Sequence, residues 1–365
     1  MKNFVILFGL FGILSLYCVY EQVADGHSIS LQEQKLRHEN FLKGESDFFN
    51  PWQYRVLSPY LLEGTIYLWD SSIAGIGARL PHTVREYFPF LFLRFIQNIV
   101  IFFAAFAFYK AIGIKNKTLI LTGILLLGYN MSNSTYGSDL SINTYFDVLF
   151  YLLAGYVILQ RKNIWIIPLT FVAALNRETS AFIPLMFLLF NLDFRNLRFP
   201  NKNVLTVFSI SVLLFVSVYI GTRWIYGLRE YQGINDINTP WEFLWFNLTY
   251  GAFYPEMFGV LGFGFVVALL RYNYWNHALK LFFWLIVPFW FGFHLIMSQA
   301  METRLFLVPQ ALIFVPALLY VIEFEIRKSG RRLIVDSTEK VDEALPGVEN
   351  KDQEKASETK IVAAG

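Results

Sequence analysis

One tetrapeptide in this chain carries two opposite charges in the middle of an apolar segment. Asn176-Arg177-Glu178-Thr179 interrupts a run that extends from about Ile164 to Phe190. Hydrocarbon is the expected solvent of such a run, and one charge at the centre of a membrane helix costs about 2.5–3.5 kcal/mol. We therefore expect the backbone to bend here, or the two charges to be paired or hydrated.

Other ionisable groups lie at the ends of apolar segments elsewhere in the chain. The candidates outside the tetrapeptide are Glu21, Asp25, Arg55, Asp139, Arg223, Glu302 and Arg304. A carboxylate there could act as a general base, and a guanidinium could bind a phosphate. Each group also has a purely structural interpretation, as an internal ion pair, an interfacial charge, a helix-end residue or an anchor to lipid headgroups.

The composition of the chain indicates an apolar solvent. Of its 365 residues, 55% are hydrophobic and only 16% are charged, whereas a soluble domain carries about a quarter charged residues. Several apolar runs approach the 17–25 residues that a membrane-spanning helix requires. We therefore predict an all-α, polytopic transmembrane bundle. The net charge of +2 indicates no nucleic-acid partner, and the single cysteine excludes an intrachain disulfide.

The apolar runs predict where the chain crosses the membrane. The predicted spans are Phe4–Tyr20, Phe88–Tyr109, Thr118–Tyr129, Thr144–Leu159, two short arms on either side of Asn176, Val204–Ile220, Met257–Leu270, Leu281–Met297 and Leu305–Phe324. Residues 1–325 thus form a bundle of about ten crossings. Residues 326–365 lack aromatic side chains and periodicity, which predicts a disordered tail.

The segment from residue 21 to residue 87 is too long for a simple connection. Ser30-Leu31-Gln32-Glu33 is a capping box, which predicts a helix that ends at Gly44. Ser58-Pro59 is a typical helix start. The aromatic residues between Tyr60 and Trp69 favour a helix that lies in the membrane interface.

Basic residues predict the orientation of the bundle, because short loops rich in Lys and Arg are cytoplasmic. Such loops lie near residues 110–117, 161–162, 195–202 and 271–280 and at the start of the tail. Because the loops before and after the interrupted run are both basic, the run should cross twice, as a hairpin that turns at Asn176–Thr179. This places both termini in the cytoplasm and predicts a polar cavity that opens to the extracytoplasmic side.

The layout resembles that of the GT-C superfamily, the polytopic glycosyltransferases that use polyprenyl-phosphate sugars. The shared features are an acidic residue after the first span, a large first outer loop, a charged hairpin turn, and Glu302-Thr303-Arg304 at the start of the last span. The resemblance implies a membrane glycosyltransferase, and the lack of any eukaryotic feature in the sequence favours a bacterial inner membrane. It would move a sugar from a polyprenyl-phosphate donor to an extracytoplasmic acceptor, which would be a cell-envelope glycan or a lipid.

The resemblance also implies roles for individual residues. In that superfamily a first-loop acidic residue is the catalytic base or a metal ligand, which implies Asp25 as the base, with Glu21 as the second choice. The two are too far apart for the paired acidic motif of many members, so use of a divalent cation stays open. The residues implied for phosphate binding are Arg55, Arg177, Glu178, Glu302 and Arg304. Among these, Glu178 is expected to orient Arg177 as its ion-pair partner.

Two other classes of function are compatible with the sequence. A transporter or flippase also uses intramembrane charges and broken helices, but it predicts polar residues through the full membrane depth, whereas here they cluster in the outer half. A non-catalytic or polymerase-type protein of envelope polysaccharide assembly is the second alternative. The sequence contains no Gly-rich phosphate loop and no pair of histidines at metal-binding spacing.

Overall fold

The computed structural model describes residues 2–24, 28–44, 52–77, 82–134, 140, 142–193, 196, 200–228, 237, 239–300 and 302–344. These residues are almost entirely helical, and they contain no β-strand. The predicted all-α class is therefore confirmed. The chain divides into two units, Met1–Val321 and Ile322–Gly365.

The helices follow one another with short connections. They are α1 (Lys2–Ala24), α2 (Ser28–Lys43), α3 (Leu57–Gly77), α4 (His82–Ala111), α5 (Lys117–Asn133), α6 (Ile142–Leu159), α7 (Ile166–Ala174), α8 (Phe182–Phe190), α9 (Lys202–Tyr226), α10 (Pro240–Thr249), α11 (Phe253–Leu270), α12 (His277–Met297), α13 (Leu307–Pro309) and α14 (Val315–Ala344). Single 3₁₀ turns at Trp52–Tyr54, Asn163–Trp165, Glu178–Ala181, Tyr272–Tyr274 and Thr303–Phe306 and a π-helical turn at Gln310–Phe314 complete the regular backbone.

Six helices in the described part of the chain are long and apolar enough to cross a membrane. They are Phe4–Val23, Arg85–Ala111, Ile142–Leu159, Lys202–Tyr226, His277–Met297 and Thr303–Ser329. All six coincide with predicted spans. The other predicted crossings fall on shorter or broken helices: α5 has 17 residues, α7 and α8 have 9 each, and α11 is interrupted at Gly262, where φ is +67°.

Helix α6 lies at the centre of the first unit. Most of its residues are apolar, and 72% of it is buried, whereas α1 and α9 are only 22% and 17% buried. Such extensive burial marks a core helix. Close packing depends on Gly155, because a Cβ there would lie 2.7 Å from the ring of Phe108 and 2.9 Å from Leu312.

Helices α7 and α8 form the predicted hairpin. The ends of the two helices that lie away from the turn meet, since Arg161 Nη1 donates a hydrogen bond to Asn191 Oδ1 at 3.0 Å. The chain therefore enters and leaves at the same end of the hairpin and reverses at residues 175–181, as predicted. Each arm with its 3₁₀ turn has about 12 residues and a length of about 18 Å at 1.5 Å per residue.

The long segment between α1 and α4 contains two helices, α2 and α3, as the sequence predicted. Helix α2 ends before Gly44, which has φ of +63°, a conformation that glycine adopts without steric cost. Lys35 of α2 forms an ion pair with Glu86 of α4. His38 of α2 hydrogen-bonds Glu63 of α3 at 2.6 Å. These contacts hold α2 against the start of α3 and α4.

The tail begins differently from the prediction. Helix α14 continues to Ala344, whereas disorder was predicted from residue 326. The preceding apolar segment already forms a helix, so each added turn avoids the cost of nucleation. An i,i+4 ion pair, with Arg327 Nη2 at 2.6 Å from Glu323 Oε1, supports the first charged turn. Residues 345–365 lie outside the described part of the chain.

Candidate functional site

The hairpin turn is anchored to the first two turns of α6. Asn176 Nδ2 donates hydrogen bonds to Asp147 Oδ1 and to the backbone oxygen of Asn143, both at 2.8 Å. Thr179 Oγ1 donates to Asp147 Oδ2 at 3.0 Å. One turn further along α6, Tyr151 donates to the backbone oxygen of Thr179 at 2.6 Å. The turn is therefore a fixed structure rather than a free loop.

Arg177 is bound to Asp147 and not to its neighbour in sequence. Its Nη1 lies 3.1 Å from Asp147 Oδ2, and the two side chains are 8% and 1% exposed. The expected Arg177–Glu178 pair is wrong, because residue 177 is extended (φ −156°, ψ 155°) and residue 178 begins a 3₁₀ turn, so the two side chains diverge. A buried, paired guanidinium braces the fold, because breaking such a pair leaves an unpaired charge.

Glu178 lies between two arginines from distant parts of the chain. Its Oε2 is 3.5 Å from Arg55 Nη2, and its Oε1 is 3.7 Å from Arg223 Nη2. Direct charge-assisted hydrogen bonds are shorter, about 2.7–2.9 Å. One carboxylate thus faces two guanidinium groups at distances beyond direct hydrogen bonding, and its side chain is 26% exposed. The group has an excess of positive charge and is partly exposed to solvent.

Aromatic rings hold these two arginines in place. Arg223 lies over the rings of Tyr54 and Tyr219, at 4.2 and 3.4 Å from the ring centres. Arg55 lies over Trp52 at 4.4 Å. Such cation–π contacts orient a guanidinium without neutralising it.

Backbone contacts join the 3₁₀ turn at Trp52–Tyr54, the start of α3 and the hairpin. The amide of Leu57 donates to the backbone oxygen of Leu175 at 3.0 Å. Tyr54 donates to the backbone oxygen of Gly227, beyond the end of α9, at 2.9 Å. Phe41 and Val56 form a small apolar cluster beside them. The sequence therefore brings α3, α7 and α9 together at Glu178.

Burial weakens the charged form of Arg55. The pKa of Arg55 falls to about 10, first because the side chain is buried and then because Arg177 is near; the carboxylates of Glu178 and Asp147 oppose this shift. Arg304 also lowers the pKa of Arg55 and therefore belongs to the same electrostatic environment. Arg55 remains charged at neutral pH, and an anion beside it would offset the cost of its burial.

Glu302 and Arg304 form a pair of their own. Arg304 Nη2 is 2.8 Å from Glu302 Oε2, and Arg304 is 2% exposed. Arg177, Glu178 and Arg304 all act electrostatically on Arg55, but of the predicted arginines only Arg55 faces Glu178, together with Arg223.

Of the two predicted catalytic acids, Glu21 lies in the described part of the chain. Glu21 lies in the last turn of α1 and is half-buried, and the next residue, Gln22, donates to the hydroxyl of Tyr145 at 2.7 Å. Asp25 lies outside the described residues. The end of α1 therefore contacts α6 within the first two turns, which carry Asn143 and Asp147.

The described residues do not fit a divalent cation. No three of their histidine, cysteine, aspartate or glutamate side chains are grouped closely enough to hold a metal ion. The two carboxylates at the hairpin, Asp147 and Glu178, face arginines instead.

Asp147 was not among the sequence-based candidates for the site. It is the only carboxylate in α6, and Asn143 precedes it by four residues, which places both on one helix face; that spacing was a usable signal. Arg223 was a candidate without an assigned role, because its approach to Glu178 depends on the extension of α9 to Tyr226, beyond the predicted end at Ile220.

Comparisons with known proteins give no relative: no family model, no curated protein and no solved structure matches this chain. The function of the chain must therefore be inferred from its fold and its site alone. They show a helical protein whose described residues include six candidate membrane spans and a cationic site beside a helical hairpin.

Proposed function

We propose that the protein is a membrane glycosyltransferase that moves a sugar from a polyprenyl-phosphate donor to an extracytoplasmic acceptor, either a cell-envelope glycan or a lipid. The observation that carries the proposal is the group of Arg55 and Arg223 around one carboxylate, Glu178. A guanidinium binds phosphate through a fixed fork of donors. Two of them with a single acidic partner are suited to a lipid phosphate.

The site would act mainly on the leaving group. As the bond between the anomeric carbon and the phosphate oxygen breaks, its electron pair stays with the lipid phosphate. Arg55 and Arg223 would stabilise the charge that appears there, and fixed donors are most effective where charge develops in the transition state. Arg177 would not contact phosphate; it would hold the turn through Asp147.

The acceptor requires a base. Its hydroxyl oxygen would attack the anomeric carbon while its proton passes to a carboxylate, a role worth about 10²–10⁴-fold in rate. We assign this role to Asp25, with Glu21 as the alternative, on the resemblance to the GT-C superfamily. Glu302 and Arg304 would support the same end of the bundle.

The position of the charged groups along α6 favours an enzyme with access from one side of the membrane over a carrier. The ionic contacts of α6 are made by Asp147, in its second turn, while its opposite end is followed by the basic pair Arg161 and Lys162. An alternating-access carrier would need polar groups along its whole path. The proposal includes about ten crossings, both termini in the cytoplasm, and a bacterial inner membrane.

The test is release of free polyprenyl phosphate from candidate polyprenyl-phosphate sugars by the purified full-length protein. Arg223→Gln should lower the rate about 10- to 100-fold, because a hydrogen bond to a charged group contributes about 1.5–3 kcal/mol. Arg271→Gln is the matched control: Arg271 is exposed and also lies over an aromatic ring, Tyr274, at 5.6 Å. Equal rates for wild type and Arg223→Gln would contradict the proposal.

A further inference from the structure

Helix α10 has two opposite faces with different surroundings. Phe243 and Asn247 lie on one face and are buried. Trp241, Trp245 and Leu248 are three or four residues apart and therefore share the other face, where they are 78%, 71% and 52% exposed. An exposed apolar face of this kind marks a contact with another protein or with a membrane.

Hydrogen bonds fix the orientation of α10 at the end of α12. Asn247 Nδ2 donates to the backbone oxygens of Leu295 and Ser298, both at 2.8 Å. The amide of Ala300 donates to Asn247 Oδ1, also at 2.8 Å. At the start of α10, Thr239 and Glu242 form a capping box, so the one charged side chain of this helix is used to cap it. The protein itself therefore turns the two tryptophans outward.

Helix α9 locates the edge of the hydrocarbon layer. Arg223 lies 21 residues beyond Lys202 in this helix, a distance of about 32 Å at 1.5 Å per residue. A bilayer has a hydrocarbon core about 30 Å thick. Trp224 and Ile225 follow Arg223 and are 87% and 73% exposed. Tryptophan is enriched at the boundary between hydrocarbon and headgroups, so residues 223 and 224 lie at that boundary.

Both tryptophan surfaces belong to the end of the bundle that carries the Glu178 site. Arg223 faces Glu178, and Trp224 differs from it in position along α9 by only about 1.5 Å. Asn247 of α10 holds Ala300, which precedes Arg304 by four residues. Arg304 in turn acts electrostatically on Arg55 of the site. The lipid boundary marked by the tryptophans is thus also the level of the cationic group.

We infer that Trp224, Trp241 and Trp245 form an interaction surface for the lipid interface, which we call the tryptophan anchor. The anchor holds the guanidinium of Arg223 at the depth of the lipid phosphates. The phosphate that binds there is carried by a lipid and enters sideways from the bilayer, not from the water. This inference rests on the proposed function, since it takes the Glu178 site as the phosphate site; the anchor itself does not depend on sugar transfer.

The test measures the depth of nitroxide labels on the full-length protein in phospholipid nanodiscs. The labels are placed at Trp224→Cys and Trp245→Cys, and collisions with oxygen and with a water-soluble nickel chelate give the depth. Both labels should lie within about 5–10 Å of the boundary between headgroups and acyl chains. Two controls set the scale: Leu213→Cys, which is also exposed on α9, should lie about 15 Å deeper, and Lys162→Cys should be in water.

Two results would overturn the anchor. Collisions with nickel at the level of Lys162→Cys, at either tryptophan position, would place that position in water. Protection from both reagents would show that a partner protein or a second copy of the chain covers the surface. Because the substituted side chains are exposed, the variants should fold as the wild type does.

Two ligands in the same nanodiscs distinguish a phosphate on a lipid from a free one. Farnesyl phosphate should bind at least about tenfold more tightly than inorganic phosphate, because each buried CH₂ of a lipid chain contributes about 0.8 kcal/mol. Equal affinities would overturn entry from the bilayer. The two proposals fail separately. Labels at headgroup depth without sugar transfer from any donor would reject only the glycosyltransferase, and labels in water with Arg223-dependent transfer would reject only the anchor.

Discussion

Asp147 should be the residue whose charge the hairpin needs most. It accepts hydrogen bonds from Asn176 and Thr179 and pairs with Arg177 at 3.1 Å. In Asp147→Asn the oxygen can still accept from Asn176, but the new amide group faces the guanidinium, so donor meets donor. Removing one partner of a buried ion pair costs about 3–5 kcal/mol. We expect a loss of this size in the free energy of unfolding.

The assay is a double-mutant cycle on the purified protein, unfolded reversibly in mixed micelles by added sodium dodecyl sulfate. Asp147→Asn and Arg177→Gln should each be strongly destabilising. The double variant should lose less than the sum, with a coupling of at least about 2 kcal/mol, because it leaves no unpaired buried charge. Glu39→Gln is the control. It removes an i,i+4 pair with Lys35 at 3.4 Å that is 33% and 41% exposed, which should cost at most about 1 kcal/mol. Additive losses, or a loss below about 1 kcal/mol for Asp147→Asn, would refute the interpretation of Arg177 as a brace.

Three further predictions test the fold and the site. Single cysteines introduced at Lys162 and Glu178 should be labelled by a membrane-impermeant maleimide from opposite sides of the membrane. The native cysteine is buried and serves as an unreactive background. Labelling of both positions from the same side would exclude the hairpin orientation. Phosphate affinity should begin to fall as the pH rises past about 10, because Arg55, with its lowered pKa, loses its charge there. Arg55→Gln should lack this transition. A fall in affinity that persists in Arg55→Gln would contradict a role of Arg55 in phosphate binding. Gly155→Ala should destabilise the protein by about 1–3 kcal/mol through overpacking. The control Gly221→Ala, with no atom within 4 Å of the added Cβ, should be neutral or stabilising. Equal effects of the two variants in a thermal unfolding assay would contradict the close packing at α6.

The sequence predicted the helices and their breaks well, for physical reasons. Apolar length marks a membrane helix, so all six long spans coincide with predicted ones. The charges at Arg177 and Glu178 could not continue a lipid-facing helix, and the basic loops on both sides required a reversal. Gly44 and the capping box at Ser30 gave the bounds of α2 to within about two residues.

The pairing of the charges could not be predicted in the same way. Arg177 and Glu178 are neighbours in sequence and were expected to pair, but an extended backbone at Arg177 turns them apart. Arg177 pairs with Asp147, and Glu178 faces Arg55 and Arg223; all three partners meet the hairpin only through tertiary packing. The helix beyond residue 326 was missed because the prediction used only the polar composition of this segment. It did not consider that the apolar helix before the segment can continue into it.

The central claim is that Glu178 holds the place of a ligand phosphate between Arg55 and Arg223. The most direct measurement is the affinity of the purified protein for farnesyl phosphate in wild type, Arg223→Gln and Glu178→Gln. Loss of an arginine should weaken binding about tenfold or more, because one charge-assisted contact is lost. Loss of the carboxylate should strengthen binding, since the competing anion is removed. Binding that weakens in Glu178→Gln, or is the same in Arg223→Gln as in wild type, would contradict the account.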